Sequence, residues 1–73
     1  MLVTVTLHAS LSRTGPSPAT LELPDGADVS RALEALSLSA EAVVMLLNSG
    51  PAGVSTPLAE GDRLELVPVV EGG

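Results

Sequence analysis

The residues that could do chemistry inside this chain are few and widely spaced. Nine carboxylates lie in predicted turns and at predicted solvent-facing positions, and no two have a spacing that forces them to converge for acid–base catalysis. His8 is the sole histidine, so a serine nucleophile would have one candidate base and no evident group to orient it. The sequence contains no cysteine, which excludes thiolate metal sites and cysteine nucleophiles. We therefore interpret the carboxylates and His8 as surface residues and expect no metal site.

The sequence ends in Gly72-Gly73, whose terminal carboxylate is a different kind of reactive group. Two residues without a Cβ form a thin, flexible segment that can enter a narrow channel. The Gly73 carboxylate could there attack the α-phosphate of ATP, which makes an acyl adenylate. That adenylate is an electrophile for a sulfur or amine nucleophile supplied by a partner protein. The alternative interpretation is that the two glycines are a frayed end or a remnant of cloning.

The residues before these glycines combine apolar and charged side chains on one strand face. Period-two alternation over 63–69 places Leu64 and Leu66 on one face. It places Val67 and Val69 on the other face, together with charged residues. Apolar side chains on a charged face, beside a flexible tail, indicate a docking patch unless the sheet covers this face. The partner-binding residues that we expect are Val67, Pro68, Val69, Val70 and Glu71.

Two short strands are predicted near the start of the chain. Residues 2–7 alternate with period two, and the apolar residues that share one face are Val3, Val5 and Leu7. His8 follows on the opposite side of this strand by parity. Residues 19–23 alternate again and predict a second strand. The segment 9–18 is rich in turn formers and is predicted to be a loop, long enough for an antiparallel pair and too short for a crossover helix.

One helix is predicted, after a turn at residues 24–26. Asp28 can cap this helix, because its carboxylate can accept a hydrogen bond from an N–H of the first turn. The apolar residues then recur at helical spacing and form one stripe, which consists of Val29, Ala32, Leu33 and Leu36. Arg31 and Glu34 fall outside this stripe, so we expect both to face solvent.

The second half of the chain is predicted to be extended. The continuous apolar run 42–47 is typical of a strand buried on both faces. Residues 48–51 are predicted to form a turn, and Val54 to belong to a very short strand. Residues 58–62 are predicted to form a compact turn in which Gly61 supplies a positive φ.

With a last long strand over 63–67, the predicted order of elements is β-β-α-β-(β)-β. This order gives an α+β protein with one mixed sheet of four or five strands and a helix packed across it, the layout of a β-grasp fold. In that fold the first and last strands commonly lie side by side. Because 73 residues leave no room for a second domain, we expect one β-grasp domain over 1–70 and a flexible tail over 71–73.

Composition limits the classes of partner. Lys plus Arg is 3 and Asp plus Glu is 9, so the net charge is 3 − 9 = −6, which argues against a basic footprint on nucleic acid. The absence of aromatic residues also removes any base-stacking platform. No apolar run approaches the ~20 residues of a membrane span, and no signal peptide is visible. We therefore expect neither a nucleic-acid nor a membrane partner, and a cytoplasmic location.

Three segments of the chain resemble the MoaD/ThiS family of ubiquitin-like sulfur carrier proteins. Residues 58–73 resemble the family ending, which reads approximately Leu-x-Asp-Gly-Asp-x-Val-x, then two apolar residues, then Pro-Pro-Val-x-Gly-Gly. Residues 23–29 resemble the end of the family's second strand and the start of its helix. Residues 47–50 resemble its Val-Asn-Gly turn with one residue inserted. The resemblance covers nearly the whole chain, and its most specific parts are the Gly-Asp turn and the terminal Gly-Gly.

The resemblance implies a chemistry for the end of the chain. It implies that an activating enzyme similar to the ubiquitin-activating type adenylates Gly73, which is then converted to a thiocarboxylate, with Gly72 as a spacer in the tail. The chain would be a carrier or cosubstrate rather than an enzyme by itself, or the small subunit of a molybdopterin synthase complex. It would bind no cofactor, and ATP would be used by the activating partner. Further partners would be a sulfur donor and an acceptor such as the molybdopterin synthase large subunit or thiazole synthase.

The chain departs from the family pattern at two positions and resembles more than one branch of the family. Val69 replaces the second proline, and Glu71 stands where a small residue is usual. Pro68 and residues 7–13 are similar to the molybdopterin synthase small subunit, whereas the ending Val-Val-x-Gly-Gly is similar to the thiazole-synthesis carrier. Molybdopterin synthesis is the leading destination of the sulfur, and thiamin synthesis or tRNA thiolation are alternatives. A ubiquitin-like modifier and a β-grasp interaction module without tail chemistry also stay open.

Overall fold

A five-stranded mixed sheet with one α-helix makes up most of the part of the chain that the structure describes. The structure is a computed structural model, and it describes residues 1–14 and 17–69. The elements in chain order are β1 (Leu2–Leu7), β2 (Ala19–Glu22), α1 (Val29–Ala35), β3 (Val43–Leu47), β4 (Gly50–Ala52) and β5 (Arg63–Pro68). Two 3₁₀ segments join them, Ala9–Thr14 and Ala40–Ala42. The predicted α+β class and β-grasp architecture are confirmed.

The last strand lies at the centre of the sheet. The strand order is β2-β1-β5-β3-β4, so β5 is hydrogen-bonded on both sides. It runs parallel to β1, with Leu64 beside Val5, and antiparallel to β3, with Leu64 beside Leu47. The β1–β2 and β3–β4 pairs are antiparallel. The expectation that the first and last strands lie side by side is therefore confirmed.

The hydrophobic core is formed by one sheet face together with α1. Its buried residues are Val3, Val5, Leu7, Leu23, Ala27, Val29, Ala32, Leu33, Val43, Leu58, Leu64 and Leu66. All of them are aliphatic, so the core depends on packing of Leu, Val and Ala without any aromatic ring. The predicted inward parity of the first and last strands is confirmed, and so is the apolar stripe of the helix.

The start of α1 follows the predicted turn and cap. Gly26 has a φ of +88°, and the Ala27 N–H donates to the Pro24 carbonyl at 3.1 Å. The Asp28 side chain then accepts from the Arg31 N–H at 3.2 Å, which satisfies one free donor of the first turn. A hydrogen bond from the Ser30 hydroxyl, aided by backbone N–H groups, lowers the pKa of Asp28, because these donors favour the carboxylate.

The predicted loop over 9–18 is wrong over its first part. Ala9–Thr14 forms a 3₁₀ helix, in which the Leu11 N–H donates to the His8 carbonyl at 3.1 Å. The physical reason is that a 3₁₀ turn is compact enough to fold back on the sheet, so that Leu11 packs against the core.

The predictions for β3 and β4 need two corrections. The strand over 43–47 is buried on one face only, because α1 covers one side of the sheet and Val44 on the other side is 46% exposed. Asn48 and Ser49 both have positive φ and form a two-residue hairpin, so that β4 begins at Gly50. Val54 lies in a turn outside any strand, where its carbonyl accepts from Ser30 N–H at 2.9 Å.

Candidate functional site

Three of the five predicted partner-binding residues lie in the described part of the chain. Val67 and Pro68 end β5, and Val69 follows directly. The Val69 N–H donates to the Ala42 carbonyl at 3.0 Å, so the chain still follows the sheet at this position. The predicted site and tail residues that lie outside the described residues are Val70, Glu71, Gly72 and Gly73.

Alternation along β5 decides which side chains stay available. Leu64 and Leu66 are fully buried in the core. Val67 and Val69 therefore project to the opposite side of the sheet, which we call the open face. Val69 is 54% exposed and Val67 is half-buried, as the parity of the sequence predicts.

A neighbouring strand extends this exposed apolar surface. Val44 on β3 is paired with Val67, and Leu46 on β3 is paired with Glu65. Val44 is exposed and Leu46 is half-buried. We call the four open-face residues Val44, Leu46, Val67 and Val69 the apolar strip. Sequence reasoning missed the two β3 members, because a continuous apolar run does not show which of its faces is covered.

A polar pair borders the apolar strip. His8 Nε2 lies 3.0 Å from Glu65 Oε2, and both side chains keep part of their surface exposed. Glu65 is also the register partner of Thr6 on β1. The predicted side of the sheet for His8 is confirmed, and its contact is a carboxylate on the open face. This arrangement orients Glu65 toward β1.

The far end of β5 is fixed by Asn48. The Arg63 N–H donates to Asn48 Oδ1 at 3.0 Å, and the Asn48 N–H donates to the Arg63 carbonyl at 2.8 Å. Asn48 Nδ2 also donates to Asp62 Oδ1 at 3.1 Å. A shallow depression of about 230 Å³ lies here on the open face, and its lining residues are Thr6, Asn48, Ser49, Arg63 and Glu65.

The predicted turn before β5 holds this end in place. Gly61 has a φ of +84°, which confirms the predicted positive φ. Its N–H donates to the Leu2 carbonyl at 2.8 Å, and Thr4 N–H donates to the Asp62 carbonyl at 3.0 Å. Asp62 Oδ2 accepts from the Ala59 N–H at 2.8 Å, so the turn is tied to β1 and to itself. The register of β5 against β1 follows from these contacts.

The remaining surface of the described residues offers little chemistry. A second depression of about 400 Å³ lies at the start of α1 between Asp25 and Glu34, away from the apolar strip. Residues 1–14 and 17–69 contain no group of three or more His, Cys, Asp or Glu that could hold a metal ion. Within the same residues, no helix is long and apolar enough to cross a membrane. The apolar strip and its polar border are thus the candidate functional site.

Comparison with known proteins agrees with this arrangement. The sequence model of the ThiS family matches residues 5–73, a span that includes every strand from the middle of β1 onward and the terminal glycines. This chain belongs to the ThiS family. The resemblance to the MoaD/ThiS carriers is thereby confirmed. Among curated proteins no match was found.

Solved structures similar to this ThiS-family chain share its ubiquitin-like fold. SAMP1 from Haloferax volcanii is 26% identical, with 100% of each chain covered and a TM-score of 0.83. Molybdopterin converting factor, subunit 1, from Pyrococcus furiosus is 21% identical, with 96% of this chain and 99% of that chain covered and a TM-score of 0.83. Urm1 from Trypanosoma brucei is 16% identical, with coverage of 99% and 95% and a TM-score of 0.73.

These relationships define a coarse function for the ThiS-family chain. It is a ubiquitin-fold protein of the group that contains ThiS/MoaD-like sulfur carriers and small archaeal modifiers. Small carriers of this kind are generally not catalysts themselves. They interact with activating enzymes and synthase subunits.

Proposed function

We propose that this protein is a sulfur carrier whose reactive group is the Gly73 carboxylate. The observation that carries the proposal is the exposed apolar strip at the end of the central strand, directly before the segment that leads to Gly72 and Gly73. The family match over residues 5–73 supports it, because that match extends through both glycines.

The proposed chemistry takes place on a partner enzyme. The Gly73 carboxylate attacks the α-phosphorus of ATP, and pyrophosphate leaves, which gives an acyl adenylate. Hydrosulfide released by the donor then attacks the acyl carbon, AMP leaves with one carboxylate oxygen, and the S–H proton is lost to solvent. The product is a thiocarboxylate in which one oxygen is replaced by sulfur. Because the partner supplies the ATP site, the carrier itself binds no cofactor and acts as a cosubstrate. We propose that it acts in the cytoplasm.

The carrier's own residues contribute docking and reach. The apolar strip gives a partner a surface to cover, and such coverage releases water from exposed aliphatic side chains. Pro68 has no backbone N–H, so it cannot donate a hydrogen bond to a neighbouring strand at the end of β5. We propose that Val67, Pro68, Val69, Val70 and Glu71 contact the partner, while Gly72 serves as a spacer that lets Gly73 reach the active site.

We propose molybdopterin synthesis as the destination of the sulfur. The whole-length likeness to the molybdopterin converting factor subunit supports this choice, together with Pro68 and the resemblance over residues 7–13. The partners would then be an adenylating enzyme, a sulfur donor and a synthase large subunit. Thiazole synthesis and tRNA thiolation are the alternative destinations, and a β-grasp interaction module with an inert tail is the alternative without sulfur chemistry.

Intact-mass measurement tests the proposed chemistry. The protein is incubated with ATP, a sulfur donor and each candidate activating enzyme, and its mass is then determined. We expect replacement of one C-terminal oxygen by sulfur, and no change for the variant that lacks Gly72 and Gly73. An unchanged mass with every candidate enzyme, while a control carrier is converted, would contradict the proposal. The enzyme that supports conversion would identify the pathway.

A protein-modifier function is the second candidate, and the whole-length likeness to SAMP1 favours it. The same adenylate would then be attacked by a lysine amine of another protein, with loss of AMP and formation of an amide. This function predicts covalent adducts on acceptor lysines that resist reducing agents. Their absence, in a reaction that does form the thiocarboxylate, would leave the carrier function alone.

A further inference from the structure

Arg63 is a positively charged residue on the open face of this acidic protein. The sequence has nine carboxylates and three arginines, so an arginine on this surface has many possible partners. Among residues 1–14 and 17–69, however, no carboxylate lies within ion-pair distance of the Arg63 guanidinium. Arg13 has no such partner among these residues either, whereas Arg31 lies 3.9 Å from Glu34 on the same helix. Within the part of the chain that the structure describes, the Arg63 guanidinium therefore has no ion-pair partner on the open face.

The carboxylates nearest to Arg63 along the chain are engaged elsewhere. Asp62 accepts from Asn48 Nδ2 and from the Ala59 N–H through its two oxygens. Glu65 contacts His8 through Oε2. These contacts hold both carboxylates in place, so neither needs to leave its partner when the Arg63 side chain binds something else. Among the described residues, the guanidinium thus has no carboxylate partner, while the neighbouring carboxylates are held by other contacts.

The backbone of Arg63 is fixed as well. Asn48 forms hydrogen bonds with both the N–H and the carbonyl of Arg63. The Arg63 side chain lines the shallow depression of the open face. A guanidinium offers donors in a planar fork that matches a carboxylate with two parallel hydrogen bonds. Because β5 and the β3–β4 hairpin hold the Arg63 backbone, binding of a carboxylate to the guanidinium would order few additional groups.

The position of Arg63 relative to the apolar strip sets the geometry of the partner. Arg63 and Val67 lie on the same face of β5 and are separated by four residues, which is about 13 Å along a strand. A partner that covers the apolar strip and extends along β5 therefore reaches the depression. The phosphates of ATP are not the ligand of Arg63, because the reacting Gly73 follows the Pro68 end of β5 and Arg63 lies at the other end.

We propose that Arg63 is a second docking point, and that the activating enzyme presents to it an aspartate or glutamate about 13 Å from the apolar contact. The inference rests on the proposed function, since it concerns the enzyme that adenylates Gly73. The apolar strip supplies contact area, and Arg63 fixes the direction in which the carrier lies on the enzyme. A basic residue of the enzyme at this place would be repelled, so Arg63 also selects among partners.

Steady-state kinetics of ATP–pyrophosphate exchange test the inference, with the enzyme that activates the wild-type chain as the probe. We expect Arg63→Gln to raise the KM for the carrier about tenfold and Arg63→Glu about a hundredfold, with kcat unchanged, because the contact is remote from the reacting carboxylate. The KM of the wild type should also rise with ionic strength more steeply than that of Arg63→Gln.

Arg31→Glu is the matched control. It changes the net charge from 3 − 9 = −6 to 2 − 10 = −8, as Arg63→Glu does, but Arg31 lies on the exposed side of α1, away from the open face. We expect its KM to stay within about twofold of the wild type, because screening weakens distant charges. Thermal unfolding of all three variants checks that each of them folds.

The possible outcomes separate this inference from the function on which it rests. Equal increases in KM for Arg63→Glu and Arg31→Glu would show a general field effect and overturn the inference. An unchanged KM for Arg63→Gln, with the wild type turned over, would overturn it as well and leave the carrier function intact. If no enzyme adenylates the wild type, the proposed function fails and the inference fails with it.

Discussion

The two faces of the sheet are built from the same strands, yet they differ in what covers them. On the inner face of β5, Leu64 and Leu66 are fully buried against α1 and β1. On the open face of the same strand, Val67 and Val69 retain contact with water. Both pairs are aliphatic, so residue type does not distinguish them. The position of each residue in the two-residue repeat decides whether it stabilises the fold or is available to a partner.

Truncation of a core leucine should have the largest effect on this comparison. Leu66→Ala removes a fully buried side chain, and we expect a loss of about 2–5 kcal/mol in the free energy of unfolding, because a cavity remains in the core. Urea denaturation measures this loss. Leu33→Ala tests the helix side of the same core with the same expectation. A small effect for Leu66→Ala would mean that the inner and open faces are exchanged.

A charge on the apolar strip should give the opposite result. Val67→Asp places a carboxylate where a partner is expected to exclude water, so we expect the KM for the carrier to rise at least tenfold, or about 1.4 kcal/mol. The free energy of unfolding should fall by less than about 1 kcal/mol, because Val67 stays partly in water. Loss of stability without loss of partner binding would assign Val67 to the core.

Asn48, in the β3–β4 hairpin beside the start of β5, allows a finer test. Its side chain bonds Arg63 and Asp62, and its φ is +49°. Asn48→Gly removes the hydrogen bonds and keeps the positive φ favourable, so we expect a loss of about 1 kcal/mol in unfolding free energy. Asn48→Ala should lose about 1 kcal/mol more through backbone strain. Equal losses for the two variants would show that conformation at this position carries no cost.

The smallest expected effect concerns pH and the cap of α1. The folded-state pKa of Asp28 is lowered, chiefly by the Ser30 hydroxyl, so its contribution to stability is present above the unfolded pKa. That contribution is lost as pH falls through the lowered folded value, at the acidic end of the Asp range. Asp28→Asn retains a capping side chain that does not titrate. Thermal unfolding from pH 6 down to the acid limit should show the wild type losing stability relative to this variant, and parallel curves would contradict the assignment.

Local patterns predicted much of the fold, because each depends on a few neighbouring residues. The parity of β1 and β5, the stripe of α1 and the Asp28 cap are of this kind. The exposed side of β3 was not predictable, since it depends on which face α1 covers. The same holds for β4, where the hairpin at Asn48 sets the pairing and Val54 turns toward the helix.

The candidate site, like the fold, was predictable only where it depends on neighbouring residues of one strand. Alternation identified Val67 and Val69 as outward-facing, but it could not identify Val44, which joins them only through the register of β3 against β5. The lack of an ion pair for Arg63 among the described residues also depends on contacts between distant residues, because His8 and Asn48 contact the neighbouring carboxylates. Partners of a side chain are set by the assembled sheet, whereas its face is set by the strand alone.

The central position of β5 has a mechanical consequence. A partner that grips the segment after Pro68 pulls along the axis of a strand that is hydrogen-bonded to β1 on one side and β3 on the other. Because β1 and β5 are parallel, tension between residues 1 and 73 slides the two strands past each other, so their hydrogen bonds share the load in shear. A pull across the edge strand β4 would instead open its bonds one after another. Single-molecule stretching should therefore give a higher rupture force between residues 1 and 73 than across the β3–β4 hairpin, and equal forces would contradict this. We therefore expect the domain to stay folded while a partner holds and then releases its C-terminal tail.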